Sequence, residues 1–227
     1  MKITFCIVTY KKDFNLLKRL IRSIEQNWDH SCIAEILVIV NDTATLNIST
    51  PLNLKVIYST IPVYDWYSQQ VIKLNLARHV NTEYFIIHDS KDYYTDGDKI
   101  DLSYFFNDKK QSIGSWFATP NYTHFINEFN NAYKLWGLDF ISVKGKLNEH
   151  TPIIYKTSVL LELLEELKDI DLLDKIRTHI YTEFALMSAY IEYKKLQDSY
   201  LTIEDAPAMF FKIQPRVKAD RTLQIEI

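Results

Sequence analysis

The sequence predicts an α/β fold in which a mostly parallel sheet is flanked by helices. Two short apolar segments, ITFCIVTY (3–10) and EILVIV (35–40), are rich in β-branched residues. They lack the alternation of a half-exposed strand, which indicates strands that are covered on both faces. A segment with helical spacing of apolar residues separates them, and strands and helices continue to alternate afterwards. This order is typical of βαβ units with right-handed crossovers.

Composition favours one domain spanning residues 1–227. Apolar residues make up 47% of the chain, enough for a full core, and no Pro/Gly/Ser-rich linker, charge block or repeat interrupts it. A net charge of -3 with mixed signs argues against a nucleic-acid polymer as partner. No segment reaches the roughly 20 apolar residues of a membrane span. Without a leader-like start, and with Cys6 and Cys32 near apolar segments, we expect a cytoplasmic protein with reduced thiols.

The elements follow from N- to C-terminus. A helix begins at Asp13, whose carboxylate is expected to cap it, and carries apolar residues three and four apart through DFNLLKRLIRSIEQNW (13–28). Further strands are predicted at 54–59 and 84–88, with a helix between them at 66–78. A short strand and a helix entered through Thr157 come later, and a last helix begins near Thr182.

Polar side chains follow the predicted strands where each one ends. In EYFIIHDSKDYY (83–94), an apolar run stops at a group of charged residues. Ligands of open α/β sheets bind outside the carboxyl ends of the strands. The polar residues that follow three of the predicted strands should therefore lie together at one edge of the sheet: Thr9 and Tyr10, Asn41 and Asp42, and residues 88–92. We expect Asp89 to share a face with Thr9 and Asp42. Carboxylates there could hold a divalent cation against phosphates, or could cap a turn.

The predicted helix 66–78 carries a second group of candidates. Trp66, Gln70 and Lys73 lie three or four residues apart and therefore share one stripe. Gln70 and Lys73 could hold a diphosphate or sugar hydroxyls. The alternative is that Lys73 is a solvated helix lysine and Trp66 a partly buried anchor.

Three segments together resemble bacterial and phage-type glycosyltransferases of the GT-A fold. They are ITFCIVTY (3–10), WYSQQVIKLNLARHVNTEYFIIHDSKD (66–92) and HTPIIYKTSVLLELLEEL (150–167). In that family a Trp and a Gln-Gln-x-x-Lys helix precede a strand that ends in a DxD-type motif. The order and spacing of the segments carry the resemblance. It implies a GT-A-like domain in which residues 1–95 bind a nucleotide-sugar donor, UDP- or another NDP-sugar, and residues 96–227 bind a glycan acceptor.

The resemblance also implies a metal, and the sequence departs from the family at that point. The DxD carboxylates of such enzymes bind Mn²⁺ or Mg²⁺, which bridges the donor diphosphate. Here Lys91 stands where the second acid would be, and the next carboxylate is Asp92. In an extended backbone Asp92 points away from Asp89, so that the two can meet only if a turn begins at Ser90. Either Asp89 and Asp92 hold a metal, which we favour, or Lys91 supplies positive charge in its place.

The remaining site residues take their roles from the resemblance. The implied donor-binding residues are Thr9, Tyr10, Asp42, Trp66, Gln70, Lys73 and Lys91. His150 is implied near the acceptor or the diphosphate. Glu183, in YTEFAL (181–186), is implied as the general base, and a position in the first turn of a helix keeps a carboxylate ionised. Its alternative is a structural first-turn glutamate.

These inferences predict a glycosyltransferase that moves a sugar from a nucleotide donor to a glycan hydroxyl, in surface-polysaccharide assembly. A nucleotidyltransferase is the alternative enzyme, and a glycine-rich phosphate loop after the first strand would favour it. TYKKDF (9–14) contains no glycine. The other alternative is a non-catalytic nucleotide- or glycan-binding relic of the fold, which the missing acid at position 91 supports.

Overall fold

The computed structural model describes residues 1–61, 65–106, 125–140, 151–197 and 217–219. Its centre is a five-stranded sheet with the strand order β3-β2-β1-β4-β6. The first four of these strands run parallel to one another, and β6 is antiparallel to β4. The predicted α/β class with a mostly parallel, helix-flanked sheet is therefore confirmed at this level, as a Rossmann-like arrangement.

The strands and helices have the following bounds. The strands are β1 Ile3–Thr9, β2 Ile33–Val40, β3 Leu54–Tyr58, β4 Tyr84–Asp89, β5 Asp92–Tyr94, β6 Ile153–Lys156 and β7 Val217–Ala219. The α-helices are α1 Phe14–Asn27, α2 Trp66–Asn75, α3 Ile126–Leu135, α4 Thr157–Glu166, α5 Leu172–His179 and α6 Glu183–Tyr193. The antiparallel pair β5 and β7 forms a small second sheet.

The central strand β1 is buried along its whole length, as its unbroken apolar run predicts. Alternate side chains enter two different cores. Phe5 and Ile7 belong to the core that contains residues of α1, whereas Cys6 and Val8 belong to the core that contains residues of α2, α4 and α6. The sheet is thus covered on both faces, and its carboxyl edge is left to the loops.

The predicted cap of α1 is wrong. Asp13 precedes the helix, but its carboxylate accepts no hydrogen bond from a first-turn N–H. A 3-10 turn over Lys11–Asp13 runs directly into the helix, and Asp13 has φ -97° and ψ 6° instead of the extended backbone of a capping residue. Its Oδ2 instead accepts a hydrogen bond from Ser90 Oγ at 3.0 Å.

Helix α2 is shorter than its sequence pattern predicts, and its start is well defined. Asp65 and Ser68 form a reciprocal capping box, in which each side chain bonds the backbone of the other. The α-helix ends at Asn75 and continues as a 3-10 turn over Leu76–His79. Within the described parts of the chain, none of the helices has the length and apolar character needed to cross a membrane.

Candidate functional site

The candidate site lies where β4 ends at the carboxyl edge of the sheet. Asp89 is the last residue of β4, Ser90 and Lys91 form a turn, and Asp92 begins β5. The turn that the sequence required at Ser90 is therefore present. It is closed by Asp92 Oδ2, which accepts the backbone N–H of Asp89 at 3.1 Å.

Strand register sends the side chains at this edge to opposite faces of the sheet. Asp89 pairs with Val8 and His88 pairs with Ile7, so that Asp89 projects toward α2 and α6 and His88 toward α1. Thr9 follows Val8 and falls on the α1 side. The expectation that Asp89 and Thr9 share a face is wrong, because one residue of offset along β1 reverses the direction of the side chain.

On the α2 side, four residues form what we call the charged cluster: Lys73, Asp89, Lys91 and Glu183. Lys73 Nζ lies 3.1 Å from Asp89 Oδ1 and 3.2 Å from Glu183 Oε1, and so bridges the two carboxylates. Lys91 Nζ lies 3.4 Å from Asp89 Oδ2. Lys73 is only 7% exposed, which rules out the alternative of a solvated helix lysine.

Glu183 is the deepest member of the charged cluster. It is 1% exposed and opens α6 behind the N-cap Thr182, whose hydroxyl accepts the N–H of Ala185. Gln70 Oε1 accepts the backbone N–H of Glu183 at 3.2 Å. Among the described residues, neither carboxylate oxygen of Glu183 has a well-formed hydrogen bond, and the Lys73 ammonium lies 3.2 Å from Oε1 as an ion pair. The ion pair engages Oε1 and leaves Oε2 as the oxygen that could accept a proton.

Burial and charge separate the pKa values of the two carboxyl groups. Burial raises the pKa of Glu183, and the nearby Lys73 ammonium offsets only part of that effect. Burial also acts on Asp89, but Lys73 and then Lys91 outweigh it and lower its pKa to about 2. Burial lowers the pKa of Lys73, yet the Asp89 and Glu183 carboxylates raise it above its ordinary value overall. Asp89 is therefore an anion at neutral pH, and Glu183 is the more basic carboxylate.

On the α1 side, the same edge carries what we call the histidine network: His88, Asp92 and Tyr94. His88 is fully buried, with Nδ1 at 3.2 Å from Asp92 Oδ2 and Nε2 at 2.8 Å from the Tyr94 hydroxyl. Its ring stacks on Phe5, with centroids 5.9 Å apart. Both ring nitrogens have partners, and the network ties β4 to β5.

These contacts decide how well a divalent cation fits. The two oxygens of Asp89 each face a lysine ammonium, and Asp92 Oδ2 is engaged by His88 and by the Asp89 backbone. A cation bridging Asp89 and Asp92 would have to displace ammonium groups on one face and break the histidine network on the other. The residues as arranged do not fit the metal predicted at Asp89 and Asp92, and the described ranges contain no group of three or more His, Cys, Asp or Glu side chains that could hold a metal ion.

A wide cleft opens at the carboxyl ends of β1 and β2. Its volume is about 540 Å³, within the range of small-molecule sites. The residues that line it are Tyr10, Lys11, Lys12, Asn41, Asp42, Asp65, Trp66 and Gln69. Two aromatic rings, two ammonium groups and two carboxylates thus face one space, and Trp66 is 41% exposed within it. The cleft offers stacking surface and phosphate-binding charge together.

Hydrogen bonds fix the floor of this cleft. Asp42 accepts the N–H groups of Ala44 at 2.9 Å and Lys11 at 3.1 Å. The bond from Ala44 lowers the pKa of Asp42 most, and together with the bond from Lys11 it outweighs the opposing effect of burial. Asn41 Nδ2 donates to Ser68 Oγ at 3.1 Å, which joins the end of β2 to the capping box of α2.

Asp65 is a site residue that the sequence analysis missed. Its Oδ1 accepts the N–H of Ser68 at 2.7 Å, and its Oδ2 accepts from Arg177 Nη2 of α5 at 2.9 Å. The pKa of Asp65 is lowered by these bonds, chiefly the one from Ser68, although burial opposes them. The Asp-x-x-Ser spacing in DWYS (65–68) is a capping-box signal that could have identified the residue.

The structure divides the predicted site residues into groups. Lys73, Asp89, Lys91 and Glu183 come together in the charged cluster, and Gln70 contacts it through the Glu183 backbone. Tyr10, Asp42 and Trp66 line the cleft. Asp92 belongs to the histidine network, and Thr9 is buried on the α1 side with an unpaired hydroxyl. His150 lies outside the described residues.

One comparison with known proteins identifies a family. A protein-family model described as "Family of unknown function (DUF6492)" matches residues 2–212. No curated protein matches the chain. Because the match covers almost all of the sequence, the chain belongs to this family.

Proposed function

We propose that this member of DUF6492 is a GT-A-like glycosyltransferase that moves a sugar from a nucleoside-diphosphate donor to a glycan hydroxyl. The observation that carries the proposal is the charged cluster, in which Lys73 bridges Asp89 and Glu183 at the carboxyl edge of a parallel sheet. This is the edge at which open α/β sheets bind nucleotides. Ion pairs within a cluster also occur for structural reasons, but within the described ranges the buried Glu183 carboxylate has the Lys73 ion pair and no well-formed hydrogen bond on either oxygen.

The donor is proposed to occupy the cleft. Its base would stack on Trp66 and Tyr10, and Lys11 and Lys12 would bind phosphate oxygens. Asp42, held as an anion by backbone N–H groups, would accept hydrogen bonds from ribose hydroxyls. The diphosphate and sugar would then extend along the sheet edge toward Lys91, whose side chain is 33% exposed.

Glu183 is proposed as the general base. In the reaction, the acceptor oxygen forms a bond to the anomeric carbon while the bond from that carbon to the diphosphate oxygen breaks. The electron pair of the broken bond stays on the diphosphate, and the proton of the acceptor hydroxyl passes to Glu183. A raised pKa strengthens a carboxylate as a base, and the Lys73 ammonium holds the carboxylate in one orientation.

Positive charge for the leaving diphosphate is proposed to come from lysine. The ammonium of Lys91 already faces Asp89 in the partly exposed turn after β4. A preorganised charge of this kind stabilises a developing anion without reorganisation. The metal that the family resemblance implied remains a prediction for which the described side chains offer no ready site. If lysine supplies the charge, activity should survive chelation, whereas an enzyme that depends on a metal should lose it.

Donor binding and turnover test the proposal directly. Thermal shift with a panel of nucleotides and nucleotide sugars, with and without Mn²⁺, should identify a nucleoside diphosphate that stabilises the chain. A ligand at 100 times its Kd adds about 2.7 kcal/mol to the free energy of unfolding. Glu183→Gln should retain that shift and lose release of the nucleoside diphosphate. A panel in which no nucleotide or nucleotide sugar shifts the transition would overturn the proposal.

A non-catalytic nucleotide-binding relic is the second candidate, and one observation favours it. Each oxygen of Asp89 faces an ammonium, and Glu183 is 1% exposed, so that the cluster can also be understood as a closed structural element. Donor hydrolysis without added acceptor separates the two candidates. An enzyme should slowly transfer the sugar to water, whereas a relic should bind the donor and return it intact.

A further inference from the structure

A second cleft lies on the outer side of α1, where β5 packs against that helix. Its volume is about 470 Å³, in the range of small-ligand sites. The residues that line it are Asn15, Lys18, Arg19, Arg22, Ser23, Gln26, Tyr93 and Tyr94. It shares no lining residue with the cleft at the ends of β1 and β2. The proposed sugar transfer leaves it without a role.

The charge of this cleft is one-sided. Three cationic side chains line it, and no carboxylate is among its described lining residues. The whole chain has a net charge of -3, so the local excess of positive charge is not a reflection of composition. Lys18 and Arg22 are four residues apart in α1, and Arg19 and Arg22 are three apart. Like charges at these spacings repel one another on a helix, and a bound anion would relieve the repulsion.

Contacts hold the walls of the cleft in place. The Arg19 guanidinium lies 3.5 Å from the centroid of the Tyr93 ring, a stacked position that limits its freedom. The N–H of Tyr94 donates to Ser23 Oγ at 3.0 Å, which fixes β5 to α1. The other end of Tyr94 contacts buried His88. Ordering of the walls before binding reduces the entropy that a ligand loses on entering.

We propose that this cleft binds a phosphate group carried by a soluble organic phosphate or by a phospholipid headgroup. A positioned guanidinium can donate two parallel hydrogen bonds to a phosphate, Lys18 and Arg22 add charge, and the amides of Asn15 and Gln26 add neutral donors. The site goes beyond the proposed transfer reaction, because its residues lie on α1 and β5 and include no member of the charged cluster.

Phosphate binding to the full chain tests the site. The probes are inorganic phosphate and pyrophosphate, followed by calorimetry, and vesicles of phosphatidylcholine with and without phosphatidylglycerol, followed by co-sedimentation. The variant is Lys18→Gln/Arg22→Gln, which leaves the stacked Arg19 in place. A matched control, Lys2→Gln/Lys134→Gln, removes the same charge from exposed positions elsewhere. Lys91→Gln reports whether pyrophosphate also binds at the sheet edge.

The cleft variant should weaken binding of the effective probe by about tenfold or more for each cation removed, whereas the control should bind like the parent. Loss of pyrophosphate or phosphate binding identifies a soluble ligand, and loss of vesicle binding alone identifies a headgroup. The proposal is overturned if no probe binds the parent, if the cleft variant binds as tightly as the parent, or if the control loses as much. Nucleotide-sugar binding should survive in the cleft variant, so the two proposals fail separately.

Discussion

The two faces of the sheet at the end of β4 treat buried polar groups in different ways. On the α1 side, both ring nitrogens of His88 have partners, in Asp92 and Tyr94. On the α2 side, Lys73 joins two carboxylates, and no residue that the structure describes makes a well-formed hydrogen bond to either oxygen of Glu183. The first arrangement is complete without a ligand, whereas the second leaves a buried carboxylate with an ion pair on one oxygen only.

The difference is the basis on which we propose that the α2 side performs the chemistry. A satisfied buried network rigidifies the backbone around it, and here it fixes the turn that presents Asp89. A buried carboxylate without hydrogen bonds is unfavourable for stability, and such features concentrate at functional sites. Neighbouring residues in one short segment, His88 and Asp89, thus have separate roles because strand pleating directs them to opposite faces.

The largest expected effect comes from removing the central cation of the α2 side. Lys73→Met would leave the buried Glu183 beside the partly exposed Asp89 without their shared ammonium, and breaking the buried Lys73–Glu183 pair costs about 3–5 kcal/mol of unfolding free energy. Chemical denaturation at pH 7 measures it. Lys194→Met is the control, since Lys194 pairs with Glu166 at the surface and should change stability by less than about 1 kcal/mol. Equal losses in the two variants would contradict a buried bridging role for Lys73.

Removal of Lys91 should affect turnover and leave stability nearly unchanged. Lys91→Ala removes a partly exposed ammonium from the turn after β4. Loss of one preorganised electrostatic contact costs about 3 kcal/mol in the transition state, or 10²-fold in rate. Lys156→Ala is a matched control, because Lys156 has 32% side-chain exposure against 33% for Lys91 and also faces a carboxylate. EDTA should leave the parent active. If chelation abolished activity while Lys91→Ala stayed active, a metal and not Lys91 would neutralise the leaving diphosphate.

The α1 side should respond in stability and not in ligand binding. Asp92→Ala removes the acceptor for His88 and for the Asp89 N–H, and leaving buried donors unsatisfied costs about 1–3 kcal/mol each. Under conditions where the variant is folded, its affinity for a nucleoside diphosphate should match that of the parent. Unfolding and binding measurements on one preparation check both statements. A stable variant with weakened, metal-dependent binding would show that Asp92 acts on the ligand.

The smallest effect is a pH dependence. The pKa of Asp89 is lowered from 3.8 to about 2 on folding. The corresponding stabilisation is complete above pH 3.8 and is lost as the pH falls toward 2, by about 1–2 kcal/mol after allowance for solvent screening. Asp89→Asn should not show this part of the decrease in unfolding free energy at acid pH. The free energies of unfolding of the parent and the variant, measured between about pH 4 and about pH 2, should therefore converge at low pH. A difference between the two proteins that stays constant over this range would contradict the ion pairs of Asp89.

Much of the fold could be predicted because local patterns determined it. The unbroken apolar runs of β1 and β2 correctly indicated buried parallel strands, and the change from apolar to polar residues correctly indicated where β4 ends. Lys73, Asp89 and Glu183 could each be predicted as candidate site residues, but their contact with one another could not. Glu183 and Asp89 are far apart in sequence, and their approach depends on how α6 packs against α2.

The failures have a common physical origin. The Asp13 cap was wrong because a 3-10 turn changed the backbone before the helix, and the shared face of Thr9 and Asp89 was wrong because strand register is a tertiary property. The metal-binding role of Asp92, which the family resemblance implied, stays a prediction. The engagement of Asp92 with His88 depends on the path of β5, which no periodicity in a three-residue strand predicts.

Turnover of nucleotide sugars by a metal-free preparation tests the central claim most directly. The assay measures release of nucleoside diphosphate by the parent, Glu183→Gln and the Lys156→Ala control, after treatment with EDTA. We predict that the parent releases the diphosphate from at least one donor, that Lys156→Ala does the same, and that Glu183→Gln is slower by 10² or more. A parent that releases none from any donor, or a Glu183→Gln variant as fast as the parent, would contradict the account.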